Sequence, residues 1–280
     1  MIRRLLRMML RLLNRALRLL PARYGALYVE DSGRYYLIAP HLQRAWGAPL
    51  SFYLGQQVFD WLTIHVPLRL DARVLDGGCG DGRVAAAFAR AKGFTGTYVG
   101  FDIHRERVRA LTLVFEGQPR FRFQHVDLFH SYYNPKGLLD AETYQYADPP
   151  ESFDLVFFNS IFSHLRLSVI ANHLRNAKQC LSADGKLWMT CYIIDEEHDR
   201  RLVGDDRRFE QRFDRGYTAT PAEPEGVVAY EKVTLLQTIT EAGLVVEQCI
   251  PGYWHGHRNS LDQHEQDVFV LALREGALDH

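Results

Sequence analysis

Residues 74–83 read V-L-D-G-G-C-G-D-G-R, and this stretch decides the fold. A short apolar run enters a cluster of glycines, and a helix-forming sequence follows the cluster directly. Glycine tolerates positive φ and lets the backbone approach a ligand closely, so we expect a strand, a tight loop and a helix in that order. In open α/β sheets, ligands bind at the carboxyl ends of strands, which makes this loop a candidate cofactor site.

The spacing of the glycines excludes two common ligand loops. A dinucleotide fingerprint G-x-G-x-x-G that begins at Gly78 would need a glycine at position 83, where Arg83 stands. The chain also has no G-x-x-x-x-G-K-[ST], the loop that cradles phosphates. A loop that approaches its ligand closely, without a lysine for phosphates, suits a ligand with an amino-acid tail.

The sequence on either side of this loop alternates between strand and helix patterns. Strands are predicted at 72–76, 97–102, 121–126, 153–158, 186–194, 244–250 and 267–274. Helices are predicted at 50–66, 82–92, 104–116, 166–181 and 230–242. This alternation predicts an α/β domain over residues 50–275, with a mostly parallel sheet covered by helices on both faces. Residues 22–49 form an extension in which 26–39 have the pattern of a β-hairpin.

Two acidic residues follow at the same predicted sheet edge. Asp102 ends the second strand, 22 residues after Gly80, where a carboxylate can accept both hydroxyls of a ribose. Asp127 follows the third strand, where it could accept a hydrogen bond from an adenine amino group. The glycine loop and the two acids together, in this order and spacing, predict a nucleoside-containing cofactor.

These motifs resemble the class I, Rossmann-like methyltransferases. The family pattern D-x-G-x-G-x-G is met by Asp76–Gly82, and its two strand-end acids by Asp102 and Asp127; the post-helix turn L-S-A-D-G at 181–185 departs from the pattern at Asp184. The resemblance implies S-adenosylmethionine as cofactor and a seven-stranded sheet whose last strand is antiparallel. It implies that Gly78, Gly80 and Gly82 flank the methionine part, that Asp102 binds the ribose and that Asp127 binds the adenine. The further expected cofactor contacts are Gly77, Arg83, Ile103, Leu128, Asn159 and Ser160.

A narrower resemblance rests on shorter matches. They include Y-N-P-K-G at 133–137, F-D-L-V-F-F-N-S-I-F-S-H-L at 153–165 and Q-D at 266–267. They resemble a bacterial subgroup associated with surface-polysaccharide and natural-product biosynthesis, which implies a sugar hydroxyl as the methyl acceptor.

The acceptor side is expected in two segments that interrupt the alternation, residues 128–150 and 195–229. A hydroxyl acceptor needs a general base, for which His164 after the fourth strand is the first candidate; a helix-capping role for it stays open. His255 and His257 are the second candidates, with Asp267 as a residue that could orient them. Candidate aromatic contacts to the acceptor are Tyr132, Tyr133, Tyr217 and Trp254, and plain packing stays open for each of them. The acidic run at 195–199 is interpreted as a solvated segment, and no metal is expected.

Charge and cysteine content narrow the partners and the compartment. Seven of the 33 basic residues lie in 1–23, which hold no acid, so the rest carries 26 basic and 34 acidic residues, a net charge of −8. A body this acidic does not favour nucleic acid. The four cysteines include no C-x-x-C, which favours a reducing, cytoplasmic compartment.

Residues 1–21 are predicted to form an amphipathic helix. Six arginines between Arg3 and Arg18 fall within an arc of roughly 120°, and the remaining circumference is apolar. We expect residues 1–20 to lie on an anionic membrane surface, at the inner face of the cytoplasmic membrane. Packing on the body or on a partner, and an organelle transit peptide, stay open as alternatives.

The leading functional hypothesis is therefore O-methylation of a glycan or glycolipid near a membrane. Two alternatives remain: a methyltransferase for a small molecule or lipid, with oxygen, carbon or nitrogen as acceptor, and a cofactor-binding scaffold without turnover. The sequence does not fix the oligomeric state.

Overall fold

The computed structural model describes the chain in six ranges, with side chains from residue 54 onward. These ranges are residues 27–31, 34–38, 48–146, 153–195, 208–254 and 264–274. The predicted helix at 1–21 and the candidate bases His255 and His257 lie outside them. The predicted hairpin is present, because β1 (Leu27–Asp31) and β2 (Arg34–Ile38) pair in antiparallel fashion.

The main sheet of the described chain has ten strands. They are β3 (Arg73–Gly77), β4 (Thr97–Asp102), β5 (Phe121–His125), β6 (Phe153–Phe158), β7 (Leu181–Ile194), β8 (Gln211–Phe213), β9 (Gly216–Thr218), β10 (Val228–Glu231), β11 (Leu244–Ile250) and β12 (Asp267–Leu273). Strands β5, β4, β3, β6 and β7 lie side by side in that order and are parallel. Strand β12 runs antiparallel to both β7 and β11, which confirms the predicted antiparallel last strand.

Five α-helices cover the sheet. They are α1 (Ala48–His65), α2 (Arg83–Arg90), α3 (Arg105–Val114), α4 (Leu167–Cys180) and α5 (Lys232–Glu241). Side chains of α1, α2 and α3 pack in one core cluster, and side chains of α4 and α5 pack in another. Alternate residues of one strand enter different clusters, as Val74 and Leu75 of β3 do, so both faces of the sheet are buried. The predicted helices on both faces are confirmed. None of the helices in the described ranges is long and apolar enough to cross a membrane.

The sheet differs from the prediction by three additional strands. All seven predicted strands are present, but β8, β9 and β10 arise within or next to the segment 195–229, which was expected to be irregular. The three additional strands can join the sheet because β7 has two different partners along its length. Lys186–Cys191 pair with β12, and Tyr192–Ile194 pair with β10. Strands of three or four residues are too short for their periodicity to be recognised, which is why the sequence did not predict them.

The start of β7 also differs from the prediction. The turn at 181–185 is part of the strand, and the pairing with β6 shifts register between Phe153, opposite Leu181, and Leu155, opposite Lys186. The residues of the predicted post-helix turn therefore form an irregular start of a strand of 14 residues.

Candidate active site

The loop after β3 is shaped by three glycines in the left-handed region. Gly78, Gly80 and Gly82 have φ values of 84°, 54° and 74°. A Cβ at Gly78 would lie 2.2 Å from Ile161 Cδ1, and one at Gly82 would lie 2.2 Å from Leu111 Cδ2. A Cβ at Gly80 would meet no atom closer than 3.8 Å. The outer glycines are therefore required by both packing and φ, while the middle one leaves open space beside its backbone.

Asp102 at the end of β4 holds this loop in place. Its Oδ2 accepts from the Gly80 amide and its Oδ1 accepts from the His104 amide, both at 2.8 Å. The carboxylate is buried. Each oxygen keeps a second lone pair, so Asp102 can accept ribose hydroxyls while it positions the glycine loop.

Asp76, the acid that opens the glycine motif, is buried beside Tyr98. The Tyr98 hydroxyl donates to Asp76 Oδ2. Burial raises the pKa of Asp76 to about 7; the Tyr98 hydrogen bond opposes this shift and the charge of Asp102 adds to it. Since a nearby cation favours the carboxylate form, a positively charged ligand would lower this pKa again.

The glycine loop and the neighbouring strand ends enclose a cavity of about 770 Å³. Eleven of the twelve predicted cofactor residues line it: Asp76, Gly77, Gly78, Gly80, Arg83, Asp102, Ile103, Asp127, Leu128, Asn159 and Ser160. Gly82 is the exception, because it packs against Leu111 instead. The cavity falls within the size range of small-molecule sites.

Asn159 gives a direct test of whether S-adenosylmethionine fits this cavity. Asn159 lines the cavity, and its Oδ1 is buried with no hydrogen-bond partner. An acceptor in this situation is costly unless a ligand supplies a donor. The cationic amino-acid end of the cofactor is such a donor, and the glycine loop beside it admits close approach. S-adenosylmethionine is thus the cofactor that the residues of this site fit.

Ser160, the next residue, has a backbone in the left-handed region, which the surrounding hydrogen bonds hold in place. Its φ is 55°, uncommon for a residue with a side chain. Its amide donates to Thr190 Oγ1 at 2.8 Å, Thr190 donates to Gln266 Oε1 at 2.7 Å, and Gln266 Nε2 donates to Ser163 Oγ at 3.1 Å. This buried chain of hydrogen bonds fixes the end of β6 beside the cavity.

His164, the first candidate base, lines the cavity as a neutral imidazole. Its Nδ1 lies 2.6 Å from the Gly226 carbonyl oxygen, which can only accept, so Nδ1 carries the proton. Burial lowers the pKa of His164 to about 4; hydrogen bonds to the Gly226 and Glu225 backbone oppose the shift. Nε2 is therefore unprotonated at neutral pH, and a neutral histidine in this tautomer can accept a proton there.

His130 connects the segment after β5 to His164. Its Nε2 donates to the His164 carbonyl at 2.7 Å, and its Nδ1 accepts from the amides of Tyr132 and Tyr133 at 3.1 and 3.0 Å. Tyr133 thereby lies between two histidine rings, with centroid distances of 5.2 Å to His164 and 6.2 Å to His104. Tyr133 lines the cavity, as predicted for an acceptor contact, and Tyr132 does not.

The two segments predicted on the acceptor side meet at Glu225. This buried carboxylate accepts from Ser131 Oγ and from Arg166 Nε, the latter at 3.1 Å. One residue further along, Gly226 supplies the carbonyl that holds His164. The first segment thus lines the cavity beside His164, and the second, which contributes no lining residue among those described, holds His164 in place through Gly226.

Two expected acceptor residues lie elsewhere. Tyr217 is buried in β9, where its hydroxyl donates to Glu231 at 3.2 Å and Arg212 lies 4.3 Å over its ring. Trp254 is buried beside Tyr192 and Phe209. Neither lines the cavity, so their assignment as acceptor contacts is corrected to packing. Aromatic residues in a segment without clear periodicity gave no means of distinguishing the two roles.

Asp267 is also used structurally. Its Oδ2 accepts from Trp254 Nε1 at 2.8 Å and from the Ile193 amide at 2.9 Å, and its Oδ1 accepts from the Gly252 amide at 2.9 Å. With these three donors Asp267 anchors the end of β7 against the start of β12. Its suggested orientation of His255 or His257 stays a prediction, because both histidines lie outside the described residues.

The sequence did not assign a role to His130, Ser163, Thr190, Glu225 or Gln266. Gln266 and Ser163 stand within short matching motifs and Thr190 within a predicted strand, while His130 and Glu225 stand in the two segments without a recognisable pattern. Their roles depend on contacts between residues that are up to 103 positions apart in the chain.

Known proteins support the class that the fold and site indicate. A family model for a methyltransferase domain matches residues 9–248. The mitomycin 7-O-methyltransferase MmcR is similar at a TM-score of 0.50 and 13% identity over 80% of this chain and 54% of MmcR, so the chain spans about half of that protein. The methyltransferase CcbJ from Streptomyces caelestis is similar at 0.50 and 14% over 79% of this chain and 89% of CcbJ. The glycopeptide N-methyltransferase MtfA, solved with S-adenosyl-L-methionine, is similar at 0.50 and 13% over 78% of this chain and 94% of MtfA.

The chain belongs to the methyltransferase-domain family, since the match covers most of its length. Its fold is the Rossmann-like fold of these enzymes, with S-adenosylmethionine as the cofactor and three additional strands beyond β7.

Proposed function

We propose that the chain is an O-methyltransferase that modifies a sugar hydroxyl of a glycan or glycolipid near a membrane. The observation that carries the proposal is the state of His164. It lines the cavity, it is neutral, and the Gly226 carbonyl holds its Nδ1–H, so that Nε2 is the basic atom. A hydroxyl is a poor nucleophile at neutral pH, and a positioned base of this kind is what such an acceptor requires.

S-adenosylmethionine, when bound, supplies the methyl group and its leaving sulfur. The residues of this chain align the acceptor and move its proton. His164 Nε2 takes the hydroxyl proton as the oxygen attacks, and the resulting imidazolium is stabilised by the Gly226 carbonyl at Nδ1. The lowered pKa keeps His164 unprotonated at neutral pH, so that Nε2 is available to accept this proton.

A sugar is favoured as acceptor by the aromatic wall of the cavity. Tyr133 lines the cavity, its backbone amide donates to His130 Nδ1 and its ring lies against the His164 ring, so an aromatic side chain with a held backbone is presented to the acceptor. The resemblance of the sequence to a subgroup associated with surface-polysaccharide biosynthesis agrees with this class of acceptor. The amphipathic pattern of residues 1–20 favours an acceptor at the inner face of a membrane.

The test begins with the acceptor. Glycans and lipids from cells with and without the chain are compared by mass spectrometry. The proposal expects one sugar-containing species whose mass is greater by one methylene group when the chain is present. Methylation of a lipid without sugar, or of a nitrogen, would replace the proposed acceptor class. Binding of S-adenosylmethionine without any methylated species would indicate the scaffold alternative.

His164→Asn then tests the base. The Asn amide can keep the hydrogen bond to Gly226 but has no atom equivalent to Nε2. We expect turnover of the identified acceptor to fall about 10²–10⁴-fold, with unchanged cofactor affinity by calorimetry. His65→Asn, a histidine outside the cavity, is the matched control. Turnover near wild type in His164→Asn would remove His164 from the role.

A further inference from the structure

The segment after β5 exposes large apolar side chains beside the cavity. We define the apolar rim as Phe129, Tyr132, Tyr133, Leu138 and Leu139. Leu138 is 87% exposed and Phe129 50% exposed, and Phe129 and Tyr133 also line the cavity. These five residues account for more than half of the large exposed hydrophobic side chains in the described chain. Such a concentration in one short segment marks an interaction site.

The rim is preformed. The amides of Leu138 and Leu139 both donate to the Asp127 carbonyl at 3.0 Å, and the Phe129 amide donates to the Leu139 carbonyl at 2.8 Å. Asn134 donates from Nδ2 to Asp127 Oδ1 and to the Leu128 carbonyl at 3.0 and 2.9 Å. The backbone of the rim is thus hydrogen-bonded to Asp127 and Leu128 on the cofactor side of the cavity, and it keeps Leu138 and Leu139 exposed to solvent.

The charges around the rim favour an anionic partner. Lys136 is the one charged residue between Phe129 and Leu139, and it is exposed. Arg105 and Arg107 at the start of α3 line the same cavity and are exposed, with Glu106 between them. Asp140 and Glu142 follow the rim in the chain and keep their charge, but neither lies between Phe129 and Leu139: Asp140 accepts from the Glu142 amide and from Thr143, and Glu142 accepts from Ser168.

We propose that the apolar rim is a lipid-binding surface that inserts into the headgroup boundary of an anionic bilayer and seats the cavity mouth on the membrane. Apolar side chains flanked by lysine and arginine are the combination that such a boundary binds. The inference deepens the proposed function and rests on it for the acceptor, which would enter the cavity from the membrane plane. It assigns membrane contact to a part of the chain separate from residues 1–20.

The test places a reporter on the rim of the full-length chain. Cys249→Ser removes the exposed cysteine of the described residues, and Leu138→Cys introduces a site for an environment-sensitive fluorophore. The matched control is Val233→Cys on α5, which is 77% exposed and is not part of the rim. Both proteins are mixed with vesicles of phosphatidylserine and phosphatidylcholine, and with vesicles of phosphatidylcholine alone.

We expect the emission at position 138 to increase and shift to the blue with the anionic vesicles, with little change at position 233. Leu138→Asp should weaken vesicle binding about tenfold, and Val233→Asp should leave it unchanged, because insertion of one leucine contributes about this factor. Cofactor affinity, measured by calorimetry, should not change in either variant.

Several results would overturn the inference. Equal responses at positions 138 and 233 would show that the rim does not insert into the bilayer. The emission at position 138 could be blue-shifted even without vesicles. If removal of residues 1–23 then returns it to the wavelength of a solvent-exposed fluorophore, the chain covers its own rim. Emission that depends on protein concentration without vesicles would indicate a second copy as the occupant. Failure of the proposed function is separate, because it would appear as a different methylated species while the response at position 138 persists.

Discussion

The two halves of the cavity are built by different means. The cofactor half, formed by the ends of β3 and β4, is made of backbone: glycines with positive φ and amides bonded to Asp102. The proposed acceptor half, formed around His164, is held by side chains from distant segments, such as His130 and Glu225. The difference teaches that the donor site is encoded by short local motifs at successive strand ends, whereas the proposed acceptor site exists only after the whole sheet has formed.

The largest effect on the cofactor half alone is expected from Asp102→Asn. The Asn side chain keeps one acceptor oxygen, but its amino group would face the second backbone amide that the carboxylate now accepts from. We expect the affinity for S-adenosylmethionine to fall about 100-fold by calorimetry, since charged hydrogen bonds are lost at both the loop and the ribose. Asp71→Asn, at an exposed aspartate bonded to Arg69, is the control. A loss of less than threefold would show that Asp102 does not hold the site.

A pH series examines the same half through Asp76. The pKa of the Asp76 carboxyl is raised to about 7 in the folded protein. The folded chain without cofactor therefore keeps a proton on Asp76 at pH values where the unfolded chain has already released it. This contribution to stability is present at acidic pH and is lost as the pH rises through about 7. A cationic cofactor favours the carboxylate, so affinity should increase about tenfold between pH 6 and 8.

Asp76→Asn supplies the control for this series. The variant should lack the increase, and the difference between the two proteins removes the titration of the cofactor's own amino group. Wild-type affinity that is flat with pH, after this subtraction, would mean that Asp76 does not sense the cofactor charge.

The smallest expected effect lies at the junction of the acceptor half. Ser131→Ala removes the hydroxyl that donates to Glu225, while Arg166 still pairs with this carboxylate. The KM for the acceptor should rise about fivefold, as expected for one hydrogen bond, with an unchanged cofactor affinity. Ser168→Ala removes a comparable serine–carboxylate bond, to Glu142, outside this junction. Equal effects of the two variants would contradict a role of the Ser131–Glu225 bond in acceptor binding.

The same division explains what could be predicted from the sequence. The order of strands and helices, the glycine loop and Asp102 were all found, because a strand end followed by glycines restricts the local conformation strongly. The buried Thr190–Gln266–Ser163 chain was not found, since its members are brought together by the pairing of β7 with β12. Tyr217 and Trp254 were misassigned for the related reason that aromatic rings serve packing and ligand contact equally well.

The fork of β7 between Cys191 and Tyr192 also has a practical consequence for protein engineering. Up to Cys191 the strand is bordered by β12, and from Tyr192 onward it is bordered by β10, which leads through Gly226 to His164. On its N-terminal side, the boundary between an exchangeable recognition module and a retained donor platform thus falls at one peptide bond, and on its C-terminal side it falls between β10 and α5. A chimera that takes residues 192–231 from a relative would keep both strands of the β7–β12 ladder, because β12 follows this segment in the chain. New acceptor preferences could then be recruited without rebuilding the cofactor site.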